Sequence, residues 1–340
     1  MITASVKPRH LEPRTWQQEL AEAITRPEEL AAALGLAPTV FARADEAGRH
    51  FRLRVPRSFV ARMRPGDPRD PLLLQVLPGA AELADEAGYG ADPVGESSAL
   101  RAPGLLQKYR GRALLITTQA CAVHCRYCFR REFPYAQQNA EAPRWGEALA
   151  EIAADPSLEE ILLSGGDPLS LSNARLESLT RALAAIAHVR RIRVHTRQPV
   201  VLPSRVDEGL TRWLRASALP IVFVLHINHP NELDAQLAAA CARLKATGVT
   251  LLNQSVLLAG VNDEIEVLWQ LSQRLFEAGV LPYYLHALDP VKGAAHFRVT
   301  DERARSLAGE LAARLPGYLV PRLVREVAGA PAKIALGAIL

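Results

Sequence analysis

The sequence contains few cysteines, only a small surplus of positive charge and no long apolar run. Four cysteines in 340 residues are too few for a disulfide framework. The formal net charge of +4 comes from 40 basic and 36 acidic residues, which does not indicate nucleic-acid binding. No apolar run reaches the ~18 residues of a membrane span, and residues 1–16 lack the apolar core of a signal peptide. We therefore expect a cytoplasmic protein without nucleic-acid or membrane partners.

Short apolar runs alternate with helix-like stretches from about residue 103 onward. Such alternation predicts βα units and a parallel sheet, and six units are too few for an eight-stranded barrel. We therefore predict an α/β fold in which residues 103–300 form a partial (β/α)6 barrel. Residues 1–102 form a mainly helical extension, and residues 301–340 a C-terminal segment. The strands are predicted at 113–118, 160–164, 191–196, 220–226, 249–256 and 281–287, and helices at 173–187, 232–247, 264–278 and 301–316.

Three of the four cysteines are clustered directly after the first predicted barrel strand. Cys121, Cys125 and Cys128 have the spacing CxxxCxxC, which can wrap a [4Fe–4S] cluster and leave one iron open. The alternative is a zinc site, in which His124 would supply the fourth ligand. Cys241 lies in an Ala-rich predicted helix and is interpreted as a small buried apolar residue.

A second motif, Leu163-Ser164-Gly165-Gly166-Asp167-Pro168, follows the second predicted strand. By itself it is an ordinary loop sequence. Together with the cysteine motif, however, it resembles the radical S-adenosylmethionine (SAM) superfamily. The resemblance implies that Ser164, Gly165, Gly166 and Asp167 bring backbone close to the amino and carboxylate groups of SAM.

Further stretches resemble one branch of that superfamily, the lysine 2,3-aminomutases. They include Lys108-Tyr109-Arg110-Gly111-Arg112, His195-Thr196-Arg197-Gln198-Pro199, His226-Ile227-Asn228-His229-Pro230 and Asn253-Gln254-Ser255. Within the family, the sequence is most similar to short bacterial members that make (R)-β-lysine for a ligase acting on elongation factor P. The chain ends seven residues after Lys333, so we expect it to lack the long C-terminal extension of the catabolic enzymes.

The family resemblance implies pyridoxal phosphate (PLP) as a second organic cofactor, bound by a Schiff-base lysine. Lys333 occupies the position of that lysine. Lys108, Tyr109 and Arg112 match the phosphate-binding positions, although the catabolic enzymes usually have arginine in place of Lys108. The family often has a run of glycines before the PLP lysine, whereas this chain has the stiffer Ala328-Gly329-Ala330-Pro331-Ala332.

The resemblance also assigns residues to the two ends of a lysine substrate. Arg130 matches the position that binds the carboxylate, and a guanidinium can grip a carboxylate with two parallel hydrogen bonds. Asp289 and Glu326 match the two acids that bind the ε-ammonium group, the second of which is usually aspartate. His226 and Gln254 match positions near SAM.

The implied activity is isomerisation of L-lysine to β-lysine, as the R form, by a radical mechanism that uses the [4Fe–4S] cluster, SAM and PLP. The implied partner is an elongation factor P lysyl-ligase, and a homodimer is compatible with the sequence. Two alternatives remain at this point: an aminomutase for another amino acid such as glutamate, and a zinc-stabilised module without enzymatic activity. Two acids at Asp289 and Glu326 favour a cationic side chain in the substrate.

Overall fold

A computed structural model of the chain describes residues 14–41, 43–135 and 145–339. Its central feature is one ten-stranded sheet whose strands neighbour one another in chain order. The strands are β1 (Leu100–Ala102), β2 (Leu105–Tyr109), β3 (Arg112–Thr118), β4 (Glu160–Gly165), β5 (Arg191–Thr196), β6 (Ile221–His226), β7 (Thr250–Val256), β8 (Leu281–His286), β9 (Arg322–Arg325) and β10 (Ile334–Ala335).

Strands β3 to β9 run parallel, whereas β1–β2, β2–β3 and β9–β10 are antiparallel pairs. The six predicted barrel strands are β3 to β8, and their order confirms the partial barrel. The hairpin β1–β2 and the pair β9–β10 were not predicted. The hairpin extends one edge of the barrel sheet, and the β9–β10 pair extends the other.

The α-helices of the described residues surround this sheet or precede it. Those of the N-terminal part are α1 (Trp16–Ala21), α2 (Pro27–Leu34), α3 (Ala44–His50), α4 (Arg57–Val60) and α5 (Pro71–Leu74). Those that follow are α6 (Trp145–Ala154), α7 (Asn173–Ala184), α8 (Gln198–Val201), α9 (Glu208–Ala216), α10 (Ala235–Lys245), α11 (Ile265–Glu277) and α12 (Asp301–Arg314).

Local sequence explains why the N-terminal helix is divided. The Thr15 side chain accepts a hydrogen bond from the Gln18 backbone and starts α1 as a capping box. Pro27 opens α2 at a position where its missing N–H costs nothing, and Gly35 ends it with a φ of 63°. The chain therefore forms two short helices here, one before and one after Arg26-Pro27.

The main core lies between the barrel strands and their surrounding helices. Outward-facing strand residues such as Ile161, Val194 and Phe223 are fully buried there. A second core joins the N-terminal part to the cysteine loop, because Phe59 and Leu72 pack in the same cluster as Ala122 and Val123. The N-terminal part thus supports the loop that carries the cysteines. Among the residues described, no helix combines the length and apolar character that crossing a membrane requires.

Candidate active site

A cavity of about 560 Å³ occupies the interior of the barrel. Side chains alternate between the two faces of each strand, so that one set packs under the helices and the other faces this cavity. Every residue that the sequence predicts for the site lines it: Lys108, Tyr109, Arg112, Cys121, Cys125, Cys128, Arg130, Ser164, Gly165, Gly166, Asp167, His226, Gln254, Asp289, Glu326 and Lys333. A cavity of this size and composition is typical of a cofactor or substrate site.

The cysteine loop lies at one end of the cavity, and its geometry does not suit zinc. Within residues 14–41, 43–135 and 145–339, no three His, Cys, Asp or Glu side chains converge closely enough to hold a metal ion. His124 instead stacks on Phe51, and its Nδ1 lies 2.8 Å from the Arg52 carbonyl oxygen. Zinc requires ligands that converge on one point, whereas the thiolates around a cubane bind separate irons. The placement of the three cysteine side chains therefore fits a cluster better than a single metal ion.

Burial favours the protonated form of two of the three motif thiols, those of Cys121 and Cys128. It raises the pKa of Cys121 well above its ordinary value and that of Cys128 to about 11. Because thiolates are the metal ligands, cluster binding must release these protons. Cys241 lies elsewhere, fully buried in the barrel core on α10.

The glycines of the second motif allow two loops to pack backbone against backbone. The Gly166 amide donates to the Thr118 carbonyl at 2.7 Å. A Cβ on Gly166 would lie 2.4 Å from the Ala120 carbonyl oxygen, and Gly165 has a φ of 119°. Both positions therefore require glycine. The motif thus fixes the start of the cysteine loop as well as lining the cavity.

Asp167 ties this loop to the end of β5. Its buried carboxylate accepts hydrogen bonds from the Thr196 hydroxyl at 2.7 Å and from the backbone amides of Leu169, Arg197 and Gln198. Burial raises its pKa, while these hydrogen bonds oppose that shift. With its carboxylate used internally, Asp167 acts on the cavity mainly by holding its wall in place.

Arg130 has a partner that the sequence did not reveal. Glu96 accepts hydrogen bonds from Arg130 Nε at 2.8 Å and from Nη2 at 2.7 Å, and both side chains are about 5% exposed. The remaining Nη1 donates to the Ser164 hydroxyl at 2.9 Å. Although burial opposes it, the Glu96 carboxylate raises the pKa of the guanidinium. A substrate carboxylate would meet a guanidinium whose orientation is already fixed.

Glu326 lies at the centre of the residues predicted for PLP. The β9–β10 pair aligns Arg325 with Ile334, which brings Glu326 and Lys333 side by side, and Gly329 turns between them with a φ of 76°. Lys333 Nζ donates to Glu326, as does the Tyr109 hydroxyl at 2.8 Å. Burial alone would raise the pKa of Glu326, but Lys333, Lys108 and Tyr109 hold it at about 2. The carboxylate is therefore charged at neutral pH.

Lys108 and Arg112 add two further cations near Glu326 and Tyr109. Lys108 Nζ lies 3.4 Å from Glu326 Oε1 and 4.0 Å from Glu96 Oε1. The Arg112 guanidinium lies over the Tyr109 ring, 4.6 Å from its centroid. The two edges of the sheet thus meet here, with β2 on one side and the β9–β10 pair on the other.

Asp289 is an acid of the cavity whose side chain accepts no hydrogen bond from the described residues. Its buried Oδ1 forms no hydrogen bond within the described part of the chain. Burial is the main cause that raises its pKa to about 7, and Lys333 opposes the shift. A buried carboxylate oxygen without a donor is costly, so the site is suited to a cationic ligand.

Three of the barrel strands present a histidine to the cavity. His195, His226 and His286 face the cavity from β5, β6 and β8, and Gln254 Nε2 lies 3.3 Å from His226 Nε2. Burial lowers the pKa of His226 to about 3 and that of the other two well below 6.5. They are thus neutral at physiological pH, and Nε2 of His195 and of His286 has no partner among the described residues.

His195 and His286 were not predicted as site residues, although the sequence contains a usable signal. Each lies near the C-terminal end of a parallel strand, where a barrel carries its chemistry. Glu96 gave no such signal, because it lies in an irregular segment before the barrel.

Comparisons with known proteins show which family the chain is similar to. The model of the Radical SAM superfamily matches residues 115–268. A protein from Escherichia coli (strain K12) named L-lysine 2,3-aminomutase is 48% identical over 322 residues, which are 94% of each chain. One of the same name from Haemophilus influenzae is 45% identical over 95% of each chain. A third, from Clostridium subterminale, is 34% identical over 94% of this chain and 76% of its own length.

Proposed function

Because the chain belongs to the L-lysine 2,3-aminomutase family of radical SAM proteins, we propose that it converts L-lysine to β-lysine. The observation that supports this substrate most strongly is Asp289, which lines the cavity and whose buried Oδ1 has no hydrogen-bond partner among the described residues. An ε-ammonium group would supply the missing donor. Glutamate would instead bring a second carboxylate to this position and be repelled.

The family's cofactors fit the donor groups of the cavity. Three thiols suit the cluster, and the amine of Lys333 suits a covalent bond to PLP. Lys108 and Arg112 supply positive charge for the phosphate group of PLP. When bound, the cluster and SAM supply a radical, and PLP supplies a π system that binds the migrating nitrogen.

The protein's own residues then select and orient the substrate. Arg130, fixed by Glu96, offers a cation to the α-carboxylate, and Asp289 offers an anion to the far end of the side chain. Glu326 is already paired with Lys333, Lys108 and Tyr109. We therefore assign Asp289 the larger share of ammonium recognition and Glu326 the placing of Lys333.

Anaerobic reconstitution with a panel of amino acids tests this proposal. The enzyme is loaded with iron, sulfide and PLP and incubated with SAM, dithionite and either L-lysine, L-ornithine or L-glutamate. We expect L-lysine to be the preferred substrate and its product to be β-lysine, identified by chiral chromatography. Preferential conversion of L-glutamate would overturn the assignment of Asp289 and the lysine specificity with it.

We also propose that the product is the R form and serves the modification of elongation factor P. This proposal is supported by the similarity to the short bacterial members of the family. Purified elongation factor P is incubated with its lysyl-ligase and the enzyme's product. Elongation factor P should then gain the mass of one β-lysine residue. An (S)-β-lysine product would contradict this proposal. So would an elongation factor P that stays unmodified although the same ligase is active on authentic (R)-β-lysine.

A further inference from the structure

A buried arginine contacts one of the cysteines. Arg197 Nη1 lies 3.4 Å from Cys125 Sγ, within hydrogen-bonding distance for sulfur. The Arg197 side chain is about 5% exposed, and its guanidinium lies 5.6 Å from the ring centroids of both Phe59 and Tyr127. The cation is therefore held against the sulfur by two aromatic rings instead of being solvated.

A network outside the cysteine motif fixes this position. Arg197 Nη2 donates to Gln75 Oε1 at 2.7 Å and to Glu232 Oε2 at 3.3 Å. Glu232 is itself fully buried, and its Oε1 accepts hydrogen bonds from the backbone amides of Asn228 and His229. These contacts come from the residue that follows α5 and from the segment after β6, so they place Arg197 independently of any cluster.

We propose that Arg197 is a positioning and tuning residue that makes the cluster bound by Cys125 easier to reduce. One-electron reduction adds a negative charge to the cluster. A cation within hydrogen-bonding distance of a ligand sulfur stabilises the more negative state, and hydrogen bonds to the sulfurs act in the same direction. The inference rests on the proposed role of Cys125 as a ligand.

A purely structural role is the competing explanation, because Arg197 also balances the buried charge of Glu232. Removing one partner of a buried ion pair leaves the other uncompensated. The two roles separate when both partners are neutralised. If Arg197 only balances Glu232, the variant R197Q/E232Q should behave like the parent.

The experiment is a redox titration of the reconstituted protein with dithionite and mediators, followed by electron paramagnetic resonance. Parent, R197Q, R197K, R197Q/E232Q and R205Q are compared after iron analysis. Arg205 is a matched control: it is fully buried and donates to the carbonyl oxygens of Leu169 and Leu171. It is not hydrogen-bonded to a cysteine among the described residues.

In R197Q we expect the equilibrium constant for cluster reduction to fall at least about tenfold, which is a shift of about 59 mV for one electron. The equilibrium constant should also fall in R197Q/E232Q, and it should fall less in R197K than in R197Q. In R205Q it should equal that of the parent. Parent-like reduction of iron-loaded R197Q, or of R197Q/E232Q, would overturn the proposal. If R197Q does not load iron, the double variant decides. Cys125→Ala with full iron content would instead refute the proposed ligand.

Discussion

Replacing Asp289 with asparagine tests how the cavity selects lysine. The substitution retains the size of the side chain and removes its charge. In the parent, Oδ1 is buried and has no donor in the part of the chain that the structure describes, so an ε-ammonium group would be its principal partner. In Asp289→Asn, the same ammonium would enter a buried site without that counter-charge.

The expected size of the effect follows from the burial of the pair. Breaking a buried ion pair costs about 3–5 kcal/mol. Because Glu326 supplies a second negative charge nearby, we take the lower end, about 3 kcal/mol. Each ~1.4 kcal/mol is tenfold, so kcat/KM for L-lysine should fall by at least ~100-fold. The assay is the rate of β-lysine formation by the anaerobically reconstituted enzyme.

Two controls separate loss of recognition from loss of the enzyme. Iron content, PLP absorbance and uncoupled SAM cleavage should remain at parental levels in Asp289→Asn, because none of them requires the ε-ammonium. Asp85→Asn changes an acid whose side chain is 86% exposed, and its kcat/KM should be unchanged. If Asp289→Asn turned over L-lysine within a few-fold of the parent, Asp289 would not bind the ammonium group.

Three further predictions concern the cluster, PLP and pH. Cys125→Ala should lose its cluster, whereas Cys241→Ala should retain parental iron, and iron loss in the second variant would contradict the ligand set. Borohydride reduction followed by peptide mapping should place the pyridoxyl group on Lys333, and a label on Lys108 would refute that assignment. Because Asp289 has a pKa of about 7 and must be charged to pair with ammonium, kcat/KM for L-lysine should fall below pH 7, approaching tenfold per pH unit. That acidic limb should be absent in Asp289→Asn, and its persistence there would mean that another group titrates.

The barrel strands could be predicted because their outward faces are continuous apolar sets. Residues such as Ile161 and Leu163 pack under helices, and the runs that contain them stand out from their polar surroundings. Strands β2 and β9 could not be found in this way. Lys108 and Tyr109 end β2, and β9 is only Arg-Leu-Val-Arg, so neither has a distinct apolar run. Their strand conformation depends on pairing with a neighbouring strand.

The residues of the candidate site were predicted from motifs, but their partners were not. Nothing in the sequence joins Glu96 to Arg130, because the two are 34 positions apart and the ion pair forms only when the segment before β1 folds over the cavity. The same holds for Gln75 and Arg197, which are 122 positions apart. A motif therefore predicts which side chains reach the cavity, whereas the fold determines which of them are already paired.

The most direct measurement of the central claim is the position of nitrogen in the product. L-lysine labelled with ¹⁵N at the α-amino group and with ¹³C throughout is incubated anaerobically with the enzyme, SAM, PLP and dithionite. Nuclear magnetic resonance should show ¹⁵N bonded to carbon 3, and this signal should be absent with Cys125→Ala. The proposed function would be contradicted if the nitrogen stayed on carbon 2 with the fully loaded parent enzyme. It would also be contradicted if nitrogen migrated to carbon 3 without the cluster.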